Sequence, residues 1–289
     1  MPRETDPLRR RRPVRSVSDF AERVLAVWER WKETDYEDRW VPWFRGEPAR
    51  TRYPLVPKLH RRRNRSVERE NDLLQFFRFM GPHPFYGVHL DTKATHHWLY
   101  LAQHVRMPTR LLDWTEGALV ALFFALNEKM PRIWMLHPLA LNLKSGIRQW
   151  ELAWHNPLVK MSLEEAEQKG VGYKTNASLR AAWEKNAPDI GEGKEFRQRF
   201  PIALYPTHVH PRMTAQRSGF TIHGTGCARL VDCMPNGLLR RFDVSPGARK
   251  EIRRQLRVMG ISHSTLFPDF DGLARDLEHR FTEEEDDAY

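Results

Sequence analysis

Apolar residues recur every three or four positions early in the chain, at Phe20, Val24, Val27, Trp28 and Trp31. That period predicts an amphipathic helix ending near Lys32. Ser18 and Asp19 offer its N-cap, and Glu22 completes a capping box. A second helix is predicted where Leu73, Leu74, Phe76, Phe77 and Met80 share one face. A third runs over about 95–105, with Trp98, Leu101, Ala102 and Val105 inward. The run ALVALFFAL at 118–126 is apolar all round and reads as a buried helix. Shorter apolar runs, WVPWFRG at 40–46, RIWML at 132–136, IALY at 202–205, GFTI at 219–222 and LLRRFDV at 238–244, read as strands. Ser245 and Pro246 start a further helix with Ile252, Leu256 and Met259 inside, and Gly260 closes it. Leu273, Leu277 and Phe281 predict a last inward-facing helix. Helices and strands mix without βαβ regularity. The expected class is α+β, a mixed and mostly antiparallel sheet flanked by helices.

Between these elements the pattern breaks. Residues 1–15 hold six arginines against Glu4 and Asp6 and read as a disordered basic arm. Residues 141–195 are polar and poor in strand formers, and read as an insertion or lid within a single domain over 16–282. Residues 283–289 form an acidic tail. Hydrophobic residues are 40% of the 289, with ten tryptophans and fifteen phenylalanines, enough for a core. The longest apolar run is too short to span a bilayer. The N-terminus lacks an apolar signal region. Two cysteines, Cys227 and Cys233, make no disulfide framework, so a reducing cytoplasm is the expected compartment.

Charge changes the picture further. The net charge is +10, and the basic arm and acidic tail offset each other, so the body itself is basic. A basic body attracts nucleic acid, phosphates or a phosphorylated cofactor. A generic arginine-rich surface has the same composition.

Three polar groups interrupt the core elements. In Trp43-Phe44-Arg45-Gly46, Arg45 ends a strand and can present a planar guanidinium to an anion, while Gly46 lets a backbone or a ligand come close. The bland alternative leaves Arg45 in solvent. In QHVRMPTRLLDWT, residues 103–115, a charged segment reads as a turn feeding the most buried helix, with Asp113 or Thr115 as that helix's cap. Such groups cost desolvation unless matched, so the segment is either a satisfied internal network or the floor of a site. In RMTAQRSGFTIH, residues 212–223, Arg212 and Gln216 precede a strand, and an amide there suits a ribose hydroxyl. His208 and His210 alternate as on a strand, with no cysteine or carboxylate at ligand spacing, so no metal site is expected.

Together these segments resemble the FRG domain family. Phe44-Arg45-Gly46 stands for its name motif. Gln103-His104, Pro108 to Thr115 and Ala121 to Ala125 stand for its hallmark, with Arg212, Gln216, Gly219 and Phe220, then LFPDFDGL at 266–273, completing it. A weaker resemblance, to ADP-ribosyltransferases, implies a core of that kind and a pocket for NAD. On that resemblance Arg45, Asp113 and Gln216 are the catalytic candidates. Phe44, Gly46, Gln103, His104, Thr109, Arg110, Thr115 and Arg212 would bind the cofactor, with Thr109 bracing the pocket. Gln216 stands where a transferase carries glutamate, and a neutral amide lacks the charge that stabilises an oxocarbenium-like transition state. Either Asp113 supplies that charge or the domain binds a nucleotide without transferring it.

The expectation is thus a domain with an NAD-like pocket in a phage-defence or toxin setting. The alternative is a basic nucleic-acid-binding module without catalysis. A third reading makes the polar motifs buried struts that fix the fold.

Overall fold

The computed structural model describes residues 12–32, 41–61, 67–81, 95–144, 201–206, 208, 210–223, 230–234 and 237–286. Of the polar 141–195 stretch expected as an insertion or lid, residues 141–144 are helical and residues 145–195 lie outside these, as do residues 1–11 of the arm. Within the expected arm, Val14 is fully buried and bridges Val244, while Arg12, Pro13 and Arg15 stay exposed, so packed chain begins two residues before residue 16.

Six strands form one sheet in the order β4-β5-β2-β1-β3-β6, and every pairing between them is antiparallel. These are β1 (Trp43–Pro48), β2 (Leu111–Thr115), β3 (Pro131–Leu136), β4 (Ile202–Leu204), β5 (Ser218–Ile222) and β6 (Leu239–Asp243). The fold is α+β, as the mixed pattern implies.

The helix α1 (Val17–Lys32) buries Phe20, Val24, Val27 and Trp31. Its cap is Ser16, whose hydroxyl accepts from the Asp19 amide, rather than Ser18 or Asp19. Asp19 pairs instead with Arg23, one turn on. The helices α2 (Val67–Met80) and α3 (Thr95–His104) precede β2, and α4 (Ala118–Ala125) follows it. Since β2 and β3 both pair antiparallel to β1 or its neighbours, α4 must cross over β1 to join them, and it lies directly on that strand. α5 (Pro138–Lys144) follows β3.

One core joins α1, α4, β3, β6 and the later helix α8 (Arg249–Val258); a second joins α2 and α3 to Leu111, Phe220 and Ile222. α8 ends as read: Ile261 N–H reaches the Leu256 carbonyl, Gly260 N–H reaches that of Arg257, and Gly260 has φ +78°. Met259, expected inside, is exposed.

Two apolar stripes do not point inward. Of the expected α2 stripe, Leu74 is buried and Phe77 half-buried, while Leu73, Phe76 and Met80 are exposed. On α10 (Phe270–Asp286) the expected core residues Leu273, Leu277 and Phe281 are exposed, and Asp276 is the buried side chain. Val105 after α3 is exposed as well. No described helix is long and apolar enough to cross a membrane.

Candidate functional site

Residues 111–115 form a strand, not the turn that their charge suggests, and neither Asp113 nor Thr115 caps α4. Gly117 is the cap residue, with no side-chain bond, and Thr115 Oγ1 accepts from the Gly117 amide 3.0 Å away. The polar residues of β2 alternate with Leu112 and Trp114, which are buried. This face is polar because it floors a cleft.

β1 and β2 share one register pair, Phe44 with Thr115, and then part. Beyond that pair the Asp113 carbonyl has no ladder partner on β1. Arg45 Nη1 takes that role, donating to the Asp113 carbonyl at 2.7 Å and approaching its Oδ2 at 3.5 Å. Gln103, at the end of α3, donates from Nε2 to the same Oδ2 at 2.8 Å. Its Oε1 accepts from the Thr109 hydroxyl.

The opposite wall comes from α6 (Pro211–Ala215) and the turn after it. His210 caps this helix, its Nδ1 accepting from the Arg212 amide at 3.2 Å. Arg212 donates through Nε and Nη2 to Asp269 Oδ2, and its guanidinium lies over the Phe267 ring at 5.2 Å. Asp269 also holds the start of α10, its Oδ1 accepting from the Gly272 amide at 2.8 Å. Gln216 is fixed through its backbone and its amide: its carbonyl accepts from Thr115 Oγ1 at 2.6 Å, and its Nε2 donates to the Leu266 carbonyl at 3.0 Å. Phe124 of α4 meets Phe267 edge to face, closing an aromatic end.

Between these walls lies a cavity of about 380 Å³. That is within the ~300–1,000 Å³ of small-molecule sites. Arg45, Asp113, Gln103, His104, Arg212 and Gln216 all line it. Phe124 and Phe267, both half-buried, give it aromatic surface, so charged groups and stackable rings line one hollow. His104 stacks on His210 with ring centroids 4.2 Å apart. Burial, then His210 and Arg212, hold the His104 imidazole down at about 4, so it is neutral at pH 7. Burial and Arg212 likewise lower His210.

The family model for the FRG domain matches residues 41–132. The chain carries an FRG domain. The match takes in the Arg45 wall, with Gln103, His104 and Asp113, while Arg212, Gln216 and Asp269 lie beyond the matched span. No curated protein and no solved structure matches the chain.

The residues of the FRG domain's name motif divide their work. Arg45 faces the cleft, Phe44 borders it from the core at 2% exposed, and Gly46 touches it but is needed for packing: a methyl there would lie 2.5 Å from the Ala121 carbonyl oxygen. Thr115 lines the cleft beside Gln216.

Two of the sequence-derived contacts stand outside the lining. Thr109 is 1% exposed and reaches the cleft only through Gln103. Arg110 is also 1% exposed, with Glu70 receiving both its backbone N–H and its Nε. Its charge is matched inside the protein, so a cofactor contact from Arg110 is corrected to a buried ion pair.

The sequence reading missed several lining residues. Arg106 lines the cleft with φ +66°, just before Pro108, and Asn127 and Glu128 lie in the turn after α4. The signal for Asp269 was the cap pattern Asp-Phe-Asp-Gly, an acidic residue three before the first-turn glycine. Among the described residues no group of three or more His, Cys, Asp or Glu could hold a metal ion.

Proposed function

We propose that this cleft, one wall of which the FRG domain supplies, binds a nucleotide of the NAD class. What supports this is the gathering of Arg45, Asp113, Arg212 and Gln216 around one cavity of about 380 Å³, although they lie far apart in sequence. Two guanidiniums suit phosphate oxygens, which arginine binds through a planar fork. Phe124 and Phe267 suit a base or a nicotinamide ring. Asp113 is the carboxylate at the centre of the polar floor. It can accept from a ribose hydroxyl, and its charge can stabilise positive charge developing at a ribose when the bond to nicotinamide breaks. In such a transfer the C1′–N bond breaks with its electron pair going to the nicotinamide nitrogen. A hydroxyl of water or of an acceptor then bonds to C1′ and gives up its proton. Gln216 contributes a hydrogen bond but no charge.

Calorimetric titration with NAD+ and with ADP-ribose tests the binding. Saturable heat with either supports the reading, and none with both at protein concentrations near a millimolar removes it. Release of nicotinamide from NAD+ separates a transferase from a binder: Asp113→Asn would stop release even at NAD+ concentrations that saturate the variant. If the basic surface instead holds a nucleic acid, affinity for a duplex or single strand falls steeply with salt and the nucleotide titrations stay silent.

A further inference from the structure

We propose that Thr109 and Gln103 are positioning residues, a one-way hydrogen-bond relay that holds Oδ2 of Asp113 and presents its Oδ1 to a hydroxyl of the ligand. The identity of that hydroxyl rests on the nucleotide reading above, while the relay itself belongs to the protein alone.

The carboxylate sets the direction, because it only accepts and so calls for the Nε2 side of the Gln103 amide, which donates to Oδ2 at 2.8 Å. The Thr109 hydroxyl is buried and has a single proton. Thr109 Oγ1 accepts from the Leu111 amide at 3.2 Å and gives its proton to Gln103 Oε1. With Nε2 facing the acceptor-only carboxylate, Oε1 is left facing Thr109 and takes its proton, which assigns the amide orientation. Arg45 Nη1 approaches the same oxygen, and its bond to the Asp113 carbonyl pins the backbone below.

Both neighbours act on one oxygen. Among the described residues nothing donates to Oδ1, and the Asp113 side chain is 54% exposed within a strand whose other residues are buried. An exposed aspartate with no such partners would rotate freely. Here one oxygen is held and the other is offered to the cleft. An ionised carboxylate oxygen only accepts, so this point takes a hydroxyl or an amine and rejects phosphate. Phosphate is left to the arginines, which gives the bound ligand an orientation: sugar edge on Asp113, phosphates toward Arg45 Nη2 and Arg212. Sequence alone could not show this, because Thr109, Gln103 and Asp113 lie on two elements and a connecting turn.

The test has a readout that needs no ligand. The side-chain amide signals of Gln103, assigned by their loss in Gln103→Ala, are recorded in a 15N–1H correlation spectrum. The relay predicts two well-separated, slowly exchanging Nε2 protons. Thr109→Val should move them toward free-amide positions, and Thr109→Ser should restore them. Unchanged signals in a folded Thr109→Val protein overturn the relay. ADP-ribose titration then reads the positioning role. Thr109→Val and Gln103→Ala should each lose about tenfold in affinity, and Thr109→Ser should keep the wild-type value. Wild-type affinity in Thr109→Val, despite altered amide signals, overturns the positioning role. If the amide signals behave as expected and wild type itself does not bind ADP-ribose, the relay stands and the nucleotide reading, with the assigned ligand hydroxyl, falls.

Discussion

Gly46 of β1 and Ala125 of α4 meet backbone to backbone: a methyl built on Gly46 would lie 2.6 Å from the Ala125 amide nitrogen. The helix crosses the strand at this point because nothing projects from it. Gly46→Ala forces strand and helix apart, and no flexible side chain is there to give way. We expect a loss of about 1–3 kcal/mol, read as a lower denaturation midpoint. Phe44 and Arg45 move with the strand, so ligand affinity should fall along with stability. A Gly46→Ala protein as stable as wild type would show that α4 does not sit on β1 in this way.

Arg110 and Glu70 form a buried ion pair with each side chain 1% exposed. Removing one partner leaves the other charge buried without its match, which costs about 3–5 kcal/mol. Glu70→Ala should therefore act as a folding defect, lowering the urea midpoint, with soluble protein recovered only at low temperature. Glu70→Ala that folds normally but fails to bind ligand would place Arg110 in the cleft after all.

Asp269 has two tasks that can be separated. Asp269→Ala removes the cap of α10 and the partner of Arg212, and should cost about 1 kcal/mol of stability. Asp269→Ser restores a capping oxygen but not the carboxylate. It should recover the stability while leaving Arg212 unanchored over Phe267. Thermal melts and ADP-ribose titrations of both variants check this: stability recovered with affinity still reduced is the expected result.

Acid should destabilise the protein through its neutral histidines. His104 is held down at about 4 by burial, His210 and Arg212, and the fully buried His223 at about 3 by burial, His60 and Arg45. Histidines in the unfolded chain titrate near pH 6.5. Below about pH 6.5 the unfolded state binds protons that the folded state refuses, so stability is full above that pH and falls as pH drops toward 4. Urea midpoints at several pH values between 7.5 and 4.5 measure this, and His104→Gln should flatten part of the slope. Since His104 stays neutral throughout, ADP-ribose affinity should be flat between about pH 6.5 and 8.

How much of this was legible in the sequence depends on whether local pattern decides the element. α1 and α8 were legible, since their apolar period and the Gly260 stop are local signals. β3, β5 and β6 read as short apolar runs. β2 did not: its alternation of Leu112 and Trp114 with Asp113 and Thr115 spans only four residues, and the charged, turn-forming residues around it suggested a turn. The stripes on α2 and α10 misled in the opposite sense, since periodicity shows that a helix has an apolar face but not what covers it. For the cleft, Arg45, Gln103, His104, Asp113, Arg212 and Gln216 stood out as polar residues beside core elements, and the structure brings them to one hollow. Arg110 stood out for the same reason and belongs elsewhere, because its partner Glu70 lies forty residues upstream and no local pattern encodes that pairing. The tie of Phe267 and Asp269 to Arg212 runs across a distance in sequence that the motif's own residues do not reveal.

The central claim is that Arg45 helps to hold a nucleotide in this cleft, and comparing the ADP-ribose affinity of wild type and Arg45→Ala tests it most directly. Both proteins are first shown to share the same melting profile. The account predicts saturable binding by wild type and a loss of at least tenfold in Arg45→Ala. Equal affinity in the two folded proteins would contradict it.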